Sequence, residues 1–374
     1  MRIKVKKMQN QKTKKRKILY FVEAFGGGIF TYLCNLSNQL CNDFDIYIAY
    51  GIRKQTPKNF ERYFNKNVHL IRVNNYQREV SLSKDLAAFK EMKAVIKRVQ
   101  PDLVHLNSSK AGILGRLLLK NSEIPVFYTP HGYSFLMTDI SKKKRFFYKS
   151  LEKIFAFRNI ETIACSKSEY EITKHLTYNS TYVDNGINLN EFKNIKINFT
   201  EPKLSKNIVV ATLGRISIQK NPQLFNKIAM AFPDFEFMWI GDGELRSELT
   251  APNITITGWI NNNKALAYLN KCNIFLLPSL WEGLPMALLE AMYLKKICIV
   301  SNVVGNKDTI VNGKNGYICD NLDEFVKKIN AVVNQGETKN IVDQAHDEIL
   351  MHYSAQVMAN GYKEIYMNSL GKRK

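Results

Sequence analysis

Residues 273–300 read NIFLLPSLWEGLPMALLEAMYLKKICIV, and the order of patterns in them decides the fold. A continuous apolar run at 273–277 ends in a turn built on Gly283 and Pro285. A nearly all-apolar helical stretch follows at 284–294, then a second apolar run at 296–300. Apolar runs that do not alternate with polar residues suit parallel strands buried on both faces. Strand, helix and strand in succession make one βαβ unit.

The same rhythm extends outward in both directions. Before it, the pattern predicts strands at 207–213, 235–240 and 253–257 and helices at 221–231, 244–249 and 262–270. After it come helices at 321–333 and 353–369. Residues 195–206, IKINFTEPKLSK, lose the rhythm. Upstream, strands are expected at 18–22, 45–50, 69–73, 102–106, 125–128, 161–164 and 181–184. Helices are expected between them at 28–41, 81–99, 109–120, 142–158 and 167–176. An open doubly wound sheet is the economical topology for each half. The expectation is an α/β chain of two Rossmann-like domains, at 17–197 and 207–345, with parallel sheets facing across a central cleft. Residues 198–206 are the expected linker. The segment 346–374 carries a helix expected to cross back to the first domain. Residues 1–16 are basic and expected to be disordered.

At 374 residues the length suits two domains. The composition that stands out is a net charge of +21. Such an excess suggests a polyanionic partner, nucleic acid or anionic membrane. It is concentrated in 1–17, 142–158 and 372–374, and the rest of the chain is nearly neutral. A nucleic-acid enzyme would line its cleft with cations, so this distribution argues against that partner. The apolar run behind the basic N-terminus stops at Glu23, too short for a signal peptide. No window approaches ~20 apolar residues, so no spanning helix is expected. The expected location is the cytoplasm, against the inner face of the plasma membrane. The helix expected at 142–158 puts Phe147, Leu151, Ile154 and Phe155 on one face and Lys142, Arg145, Lys149 and Lys153 on the opposite one. Either it is an ordinary domain helix with a solvated basic side, or its apolar face packs on the protein while the basic stripe meets anionic lipid. Six cysteines show no C-x-x-C and fit buried thiols in a reducing compartment.

Four places carry chemistry. The strand at 18–22 runs into Gly26-Gly27-Gly28 at a helix N-terminus, where free N–H groups can hold phosphate or simply make a tight turn. The pattern lacks the spacing and the acid that a dinucleotide dehydrogenase needs. Leu213-Gly214-Arg215 followed by Lys220 puts two cations at the C-terminal edge of a strand, suited to a phosphate ester or to solvent. A further Gly-rich turn comes at 240–245, with Gly243. In the opening stretch, Glu282 stands at the turn and Glu290 sits in an otherwise apolar helix. A buried carboxylate needs a partner, either a neighbouring lysine or hydroxyls of an elongated ligand. Asp43-Phe44-Asp45 precedes its strand, the wrong end for an α/β site. No histidine spacing suggests a metal site.

The Glu, seven residues, Glu pattern inside WEGLPMALLEAM resembles the retaining glycosyltransferases of family 4, which have the GT-B fold. Supporting stretches in the family's order are VEAFGGGIFTY, PDLVHLNSSKAG, TPHGYSF, ACSKSE, VDNGIN, LGRISIQKNP and IGDGEL. HLNSSKAG and TPHGYSF look like the subset that builds bacterial capsules, exopolysaccharides and O-antigens. The resemblance implies that Glu290 holds the nucleotide ribose and that Glu282, with the N–H groups of Gly283 and Leu284, faces the donor sugar. It implies that Arg215 and Lys220 neutralise the diphosphate, that Gly27 and Gly28 close on the phosphates, and that His131 stands beside the transferred sugar. Gly243 is placed with the donor-binding turns. The implied donor is a UDP- or GDP-linked sugar and the implied acceptor a lipid-linked saccharide. No cofactor and no metal is implied, because the two cations do a metal's work. The competing readings are a nucleotide-sugar epimerase of the same fold, a basic nucleic-acid-binding module and a catalytically dead scaffold.

Overall fold

The computed structural model describes residues 15–77, 81–157, 159–193, 195, 208–335 and 338–371. The basic run at 1–14, the expected linker at 198–206 and the basic residues 372–374 lie outside them. The first half contains β1 (Lys17–Phe25), α1 (Gly27–Leu40), β2 (Asp45–Ile52), β3 (Val68–Arg72), α2 (Leu82–Val99) and β4 (Leu103–Asn107). It continues with α3 (Ser109–Leu119), β5 (Val126–Thr129), α4 (Lys142–Ile154), β6 (Ile160–Ala164), α5 (Lys167–Thr173) and β7 (Ser180–Tyr182). These seven strands form one parallel sheet in the order β3-β2-β1-β4-β5-β6-β7.

The second half contains β8 (Val209–Leu213), α6 (Pro222–Ala231), β9 (Glu236–Ile240), β10 (Ile254–Ile256), α7 (Asn262–Lys271), β11 (Ile274–Leu277) and α8 (Met286–Tyr293). Then come β12 (Ile297–Ser301), α9 (Asn306–Thr309), β13 (Tyr317–Cys319), α10 (Leu322–Gln335), α11 (Lys339–His352) and α12 (Ala355–Gly371). Its six strands are again parallel, in the order β10-β9-β8-β11-β12-β13. In each sheet the strand order reverses between two central strands, β1 and β4 in one, β8 and β11 in the other. Loops there leave in opposite directions and open a crevice.

Both sheets are covered on both faces. Ile18, Tyr20 and Val22 of β1 join one core with α1 and α12, while Leu19 and Phe21 join another with α2 and α3. Each large side chain buried this way contributes roughly 1.5–3 kcal/mol. The chain passes between the halves a second time beside residues 186–187. Ile187 N–H donates to Tyr353 O at 2.8 Å, and Ala355 N–H donates to Ile187 O at 2.8 Å. A Cβ on Gly186 would sit 2.2 Å from Ser354 O, so the two passages touch backbone to backbone. Beyond the crossing, α12 seats Tyr362 and Tyr366 in the first domain's core. Tyr366 Oη meets His105 Nδ1 at 2.5 Å, and His105 Nε2 meets Thr129 Oγ1 at 2.8 Å.

Three local expectations need correction. The helix expected at 244–249 is a single 3₁₀ turn at Arg246–Glu248. The final segment does not begin at 346, because that position lies inside α11, packed against α8. Sequence reading did not identify α11: its buried residues Val342, Ala345 and Ile349 make a thin stripe among charges. The third correction concerns α4. The apolar face expected to pack on the protein is largely turned outward, with Phe147 56% and Ile154 64% exposed and Leu151 and Phe155 half-buried. The side of α4 that faces in carries Glu152. Its carboxylate accepts from Arg116 Nη2 at 2.8 Å and from Tyr128 Oη at 3.1 Å, and the guanidinium also lies over the Tyr128 ring. A buried ion pair is tolerable only with its hydrogen bonds filled, and this pair sets the rotation of the helix. Glu152→Ala leaves Arg116 uncompensated in the core. It should cost about 3–5 kcal/mol in denaturant unfolding; a loss near zero would show that the pair does not hold α4.

Candidate active site

The loops after β1, β2 and β5 face the loops after β8, β10 and β11 across a cleft of about 560 Å³. On the first-domain side, Gly27 opens α1 at φ +58°, a left-handed value costly for other residues. Added Cβ atoms at Gly27 or Gly28 would meet nothing within 4 Å, so the space before this turn is free for a ligand. After β5, His131 (φ 55°) and Gly132 (φ 90°) are both left-handed and swing the histidine into the cleft. For a non-glycine residue such a conformation costs about 1–3 kcal/mol and must be held by its surroundings. Glu169, wholly buried on α5, holds it: Oε1 accepts from Gly132 N–H at 2.7 Å and Oε2 from Cys165 N–H at 2.8 Å. His131 Nε2 meets Asn107 Oδ1 at 2.9 Å and the ring stands edge-on to Tyr32. Burial pushes its pKa down to about 3, so the imidazole is neutral at physiological pH.

On the second-domain side, β8 delivers Arg215 and Lys220, and β11 delivers Glu282. Lys220 Nζ donates to Glu282 Oε1 at 2.7 Å. Gln219 Nε2 donates to Glu282 Oε2 at 3.2 Å and to Trp281 O at 3.0 Å. Arg215 Nε donates to Glu244 Oε2 at 2.8 Å. Both cations therefore rest on carboxylates. The Gly283 and Leu284 N–H groups have no partner among the described residues, and no side chain caps α8. A Cβ on Gly283 would lie 3.0 Å from Cys165 Sγ and 3.1 Å from Gly132 N, so glycine lets the two domains' loops approach this closely. Asn185 Nδ2 donates to Leu284 O at 3.1 Å and steadies the turn from the other domain.

Glu290 is buried on α8 and lines the cleft. The lysine partner that the sequence left open is absent among the described residues: Lys295 reaches Asp343 and Lys296 reaches Asn270 O. Burial, then the charge of Glu191, pushes the Glu290 carboxyl up to about 8. A carboxylate kept this way in a cleft marks a place where ligand hydroxyls would complete it.

Of the residues singled out in the sequence, the cleft gathers Gly27, Gly28, His131, Arg215, Lys220, Glu282, Gly283, Leu284 and Glu290. Gly243 is not among its lining residues. Its Cβ would sit 2.1 Å from Ile216 O, so packing accounts for this glycine. Lys142, Arg145, Lys149 and Lys153 lie on α4, away from the cleft. Gln219, Glu191 and Glu169 were not identified, because nothing in their local pattern separates them from surface polar residues. Asp43 and Asp45 sit at the opposite edge of the sheet, paired with Lys363 and His69. No cluster of three or more metal-ligating side chains occurs among the described residues.

Glu290 titrates near 8 when folded but near ~4.3 when unfolded. Folding thus penalises its charged form, a cost that is small at pH 4.5 and grows until pH passes the folded value. Glu290→Gln should raise the melting temperature of the ligand-free protein at pH 8 by several degrees and leave it nearly unchanged at pH 4.5. Equal melting temperatures at pH 8 would mean that the carboxylate is not desolvated.

Comparison with known proteins agrees with this geometry. Residues 26–191 match the family model "Glycosyltransferase Family 4" and residues 194–348 match "Glycosyl transferases group 1". The chain is 31% identical over 339 residues to the Escherichia coli UDP-Gal:alpha-D-GlcNAc-diphosphoundecaprenol alpha-1,3-galactosyltransferase, covering 82% of this chain and 85% of that one. It is 24% identical over 338 residues to the Staphylococcus aureus capsular polysaccharide biosynthesis glycosyltransferase CapM, covering 83% and 87%. Among solved structures, Anabaena HepE in complex with UDP and glucose superposes with a TM-score of 0.76 at 16% identity, covering 94% of this chain and 100% of that one. These sequence relatives are transferases, which disfavours the epimerase alternative. The chain belongs to glycosyltransferase family 4 and is a glycosyltransferase with the GT-B fold.

Proposed function

We propose that this enzyme moves a sugar from a nucleoside diphosphate donor to a lipid-linked saccharide with retention of anomeric configuration, in cell-surface polysaccharide synthesis. The observation that carries the reading is one cleft lined by two buried carboxylates, two cations and uncapped N–H groups on facing sheet edges. Relatives named for undecaprenol-diphosphate acceptors, in E. coli and Campylobacter jejuni, support the acceptor class.

Glu290 accepts hydrogen bonds from the two ribose hydroxyls. The donor diphosphate lies between the Gly27–Gly28 turn and the cations. Lys220 spends one of its three hydrogens on Glu282, leaving two for phosphate oxygens. Arg215 is held through Nε, leaving its terminal nitrogens to fork onto the phosphate. The Gly283 and Leu284 N–H groups and Glu282 face the sugar. As the bond from sugar C1 to the phosphate oxygen breaks, the cations take up the charge that develops on the leaving group. The acceptor oxygen forms its bond to C1 on the same face, and its proton passes to the departing phosphate oxygen. Catalysis in this scheme is positioning and charge stabilisation, with neutral His131 beside the sugar. The cations serve where a metal would otherwise be needed, so transfer is expected without a divalent ion.

Glu282→Ala, and Arg215→Ala with Lys220→Ala, should each lower kcat by about 10²-fold or more in a UDP- and GDP-sugar transfer assay, with folding retained. EDTA should leave the wild-type rate intact. Full activity in either variant removes these residues from the reaction, and a strict Mg²⁺ requirement points to different chemistry.

The enzyme works at the cytoplasmic face of an anionic membrane. No helix among the described residues is long and apolar enough to cross one. The exposed surface of α4, however, combines Phe146, Phe147 and Ile154 with Lys142, Lys143, Lys144, Lys149 and Lys153. Cations add about 1 kcal/mol each near an anionic leaflet, and aromatic rings seat in the interface. Co-sedimentation with phosphatidylglycerol vesicles should drop on Phe146→Ser with Phe147→Ser. Unchanged binding would exclude α4 from the contact.

A further inference from the structure

Helix α9 and the start of α5 meet across the boundary between the two domains. Ser168 donates its N–H to Asp308 Oδ1 at 3.0 Å and its hydroxyl to Asp308 Oδ2 at 2.5 Å. Gly305 N–H donates back to Ser168 Oγ at 3.3 Å. One serine and one carboxylate thus make a charge-assisted contact between the domains. Both side chains are half-buried, so water competes only partly for their hydrogen bonds.

Each partner stands one step behind a wall of the cleft. On the first-domain side, Ser168 precedes Glu169, whose carboxylate holds the left-handed turn at His131 and Gly132. On the second-domain side, Gly305 has φ +83°, and a Cβ there would lie 2.2 Å from Gly283 O. Gly283 is the residue that approaches Gly132. A rotation that parts Gly132 from Gly283 therefore also pulls α9 away from α5.

A like charge opposes the contact. Asp184, two residues before Gly186, has a buried Oδ1 with no hydrogen-bond partner among the described residues. Burial, then the charge of Asp308, pushes its carboxyl up to about 6, while His352 at the end of α11 and Lys167 of α5 pull it down. Tyr353 and Cys165 are the other titratable groups that sense it. With the domains apart, Asp308 withdraws and the carboxyl relaxes toward ~3.9. Closing is then unopposed below that value, and the penalty grows until pH passes about 6.

We propose that the Ser168–Asp308 contact is a latch that sets the register of the two walls of the active site, and that Asp184 weakens it enough for the domains to part again. Ser168 and Asp308 are positioning residues: neither lines the cleft, and they act through Glu169 and Gly305. The inference rests on the proposed place of His131 and the Gly283 turn beside the transferred sugar, and it adds what holds the two at working distance. A misplacement of about 1 Å there can cost about 10²-fold in rate.

The test pairs amide hydrogen exchange of the full chain with transfer kinetics. Ser168→Ala should speed exchange of the amides at 131–133 and 283–285 about tenfold at pH 7.5 and lower kcat by a similar factor, with the melting temperature nearly unchanged. Asp308→Asn, which keeps one acceptor oxygen, should fall between Ser168→Ala and wild type in both. Asp184→Asn should slow the same exchange at pH 7.5, with the gain shrinking toward pH 4.5. Unchanged exchange in Ser168→Ala overturns the latch. Faster exchange with an unchanged kcat overturns the positioning role, and wild-type exchange in Asp184→Asn at pH 7.5 overturns the opposition by Asp184. Exchange is read without substrate, so the latch stands or falls independently of the Glu282→Ala result that tests the site itself.

Discussion

The hydrogen-bonded contact between Ile187 and residues 353–355 is the constraint on which the two-domain arrangement depends. Each sheet is complete in itself and buries its own apolar strands. What turns their C-terminal edges toward each other is that the chain passes between them twice at one place, locked backbone to backbone. Gly186 is needed there because any side chain would collide with Ser354 O. Such a narrow double passage resists sliding better than it resists rotation. It therefore suits a cleft whose walls must close around a ligand and reopen.

The electrostatics of the cleft suit the anionic diphosphate proposed to bind there. Lys220 and Arg215 are each held by a carboxylate, while the Glu290 carboxyl has no partner among the described residues and an elevated pKa. His131 sits in a conformation that costs energy and is kept there by Glu169. The desolvated carboxyl of Glu290 and the left-handed backbone of His131 cost stability, which the thick, doubly covered sheets can tolerate. Preorganised sites commonly carry such costs. The order of strands explains why the site forms at all: both reversals of strand order point at the same gap.

Much of the architecture was legible because it is encoded locally. Apolar runs such as FLL in β11 and the Gly-Pro turn before α8 identify strand and helix without reference to the rest of the chain. The position of Glu282 and Glu290 near a sheet edge followed from the same βαβ reading. What could not be read depends on distant residues. The rotation of α4 is set by Arg116, thirty-six residues before Glu152. The left-handed backbone of His131 is imposed by Glu169 from another helix, and Gly243 is dictated by Ile216. Helix α11 escaped because a stripe of one small or aliphatic residue per turn is hard to tell from a charged surface segment.

The seating of Tyr362 and Tyr366 in the first domain also bears on synthesis of the chain. Domains generally fold in order as they leave the ribosome. Here the first domain's strands and the helices between them emerge early, but the slot beside Tyr20, Phe44 and His105 stays open until the entire second domain has been made. Closing that slot comes last, so a nascent chain spends the intervening time with an aromatic-lined groove facing solvent. Truncation before α12 would leave it in that state permanently.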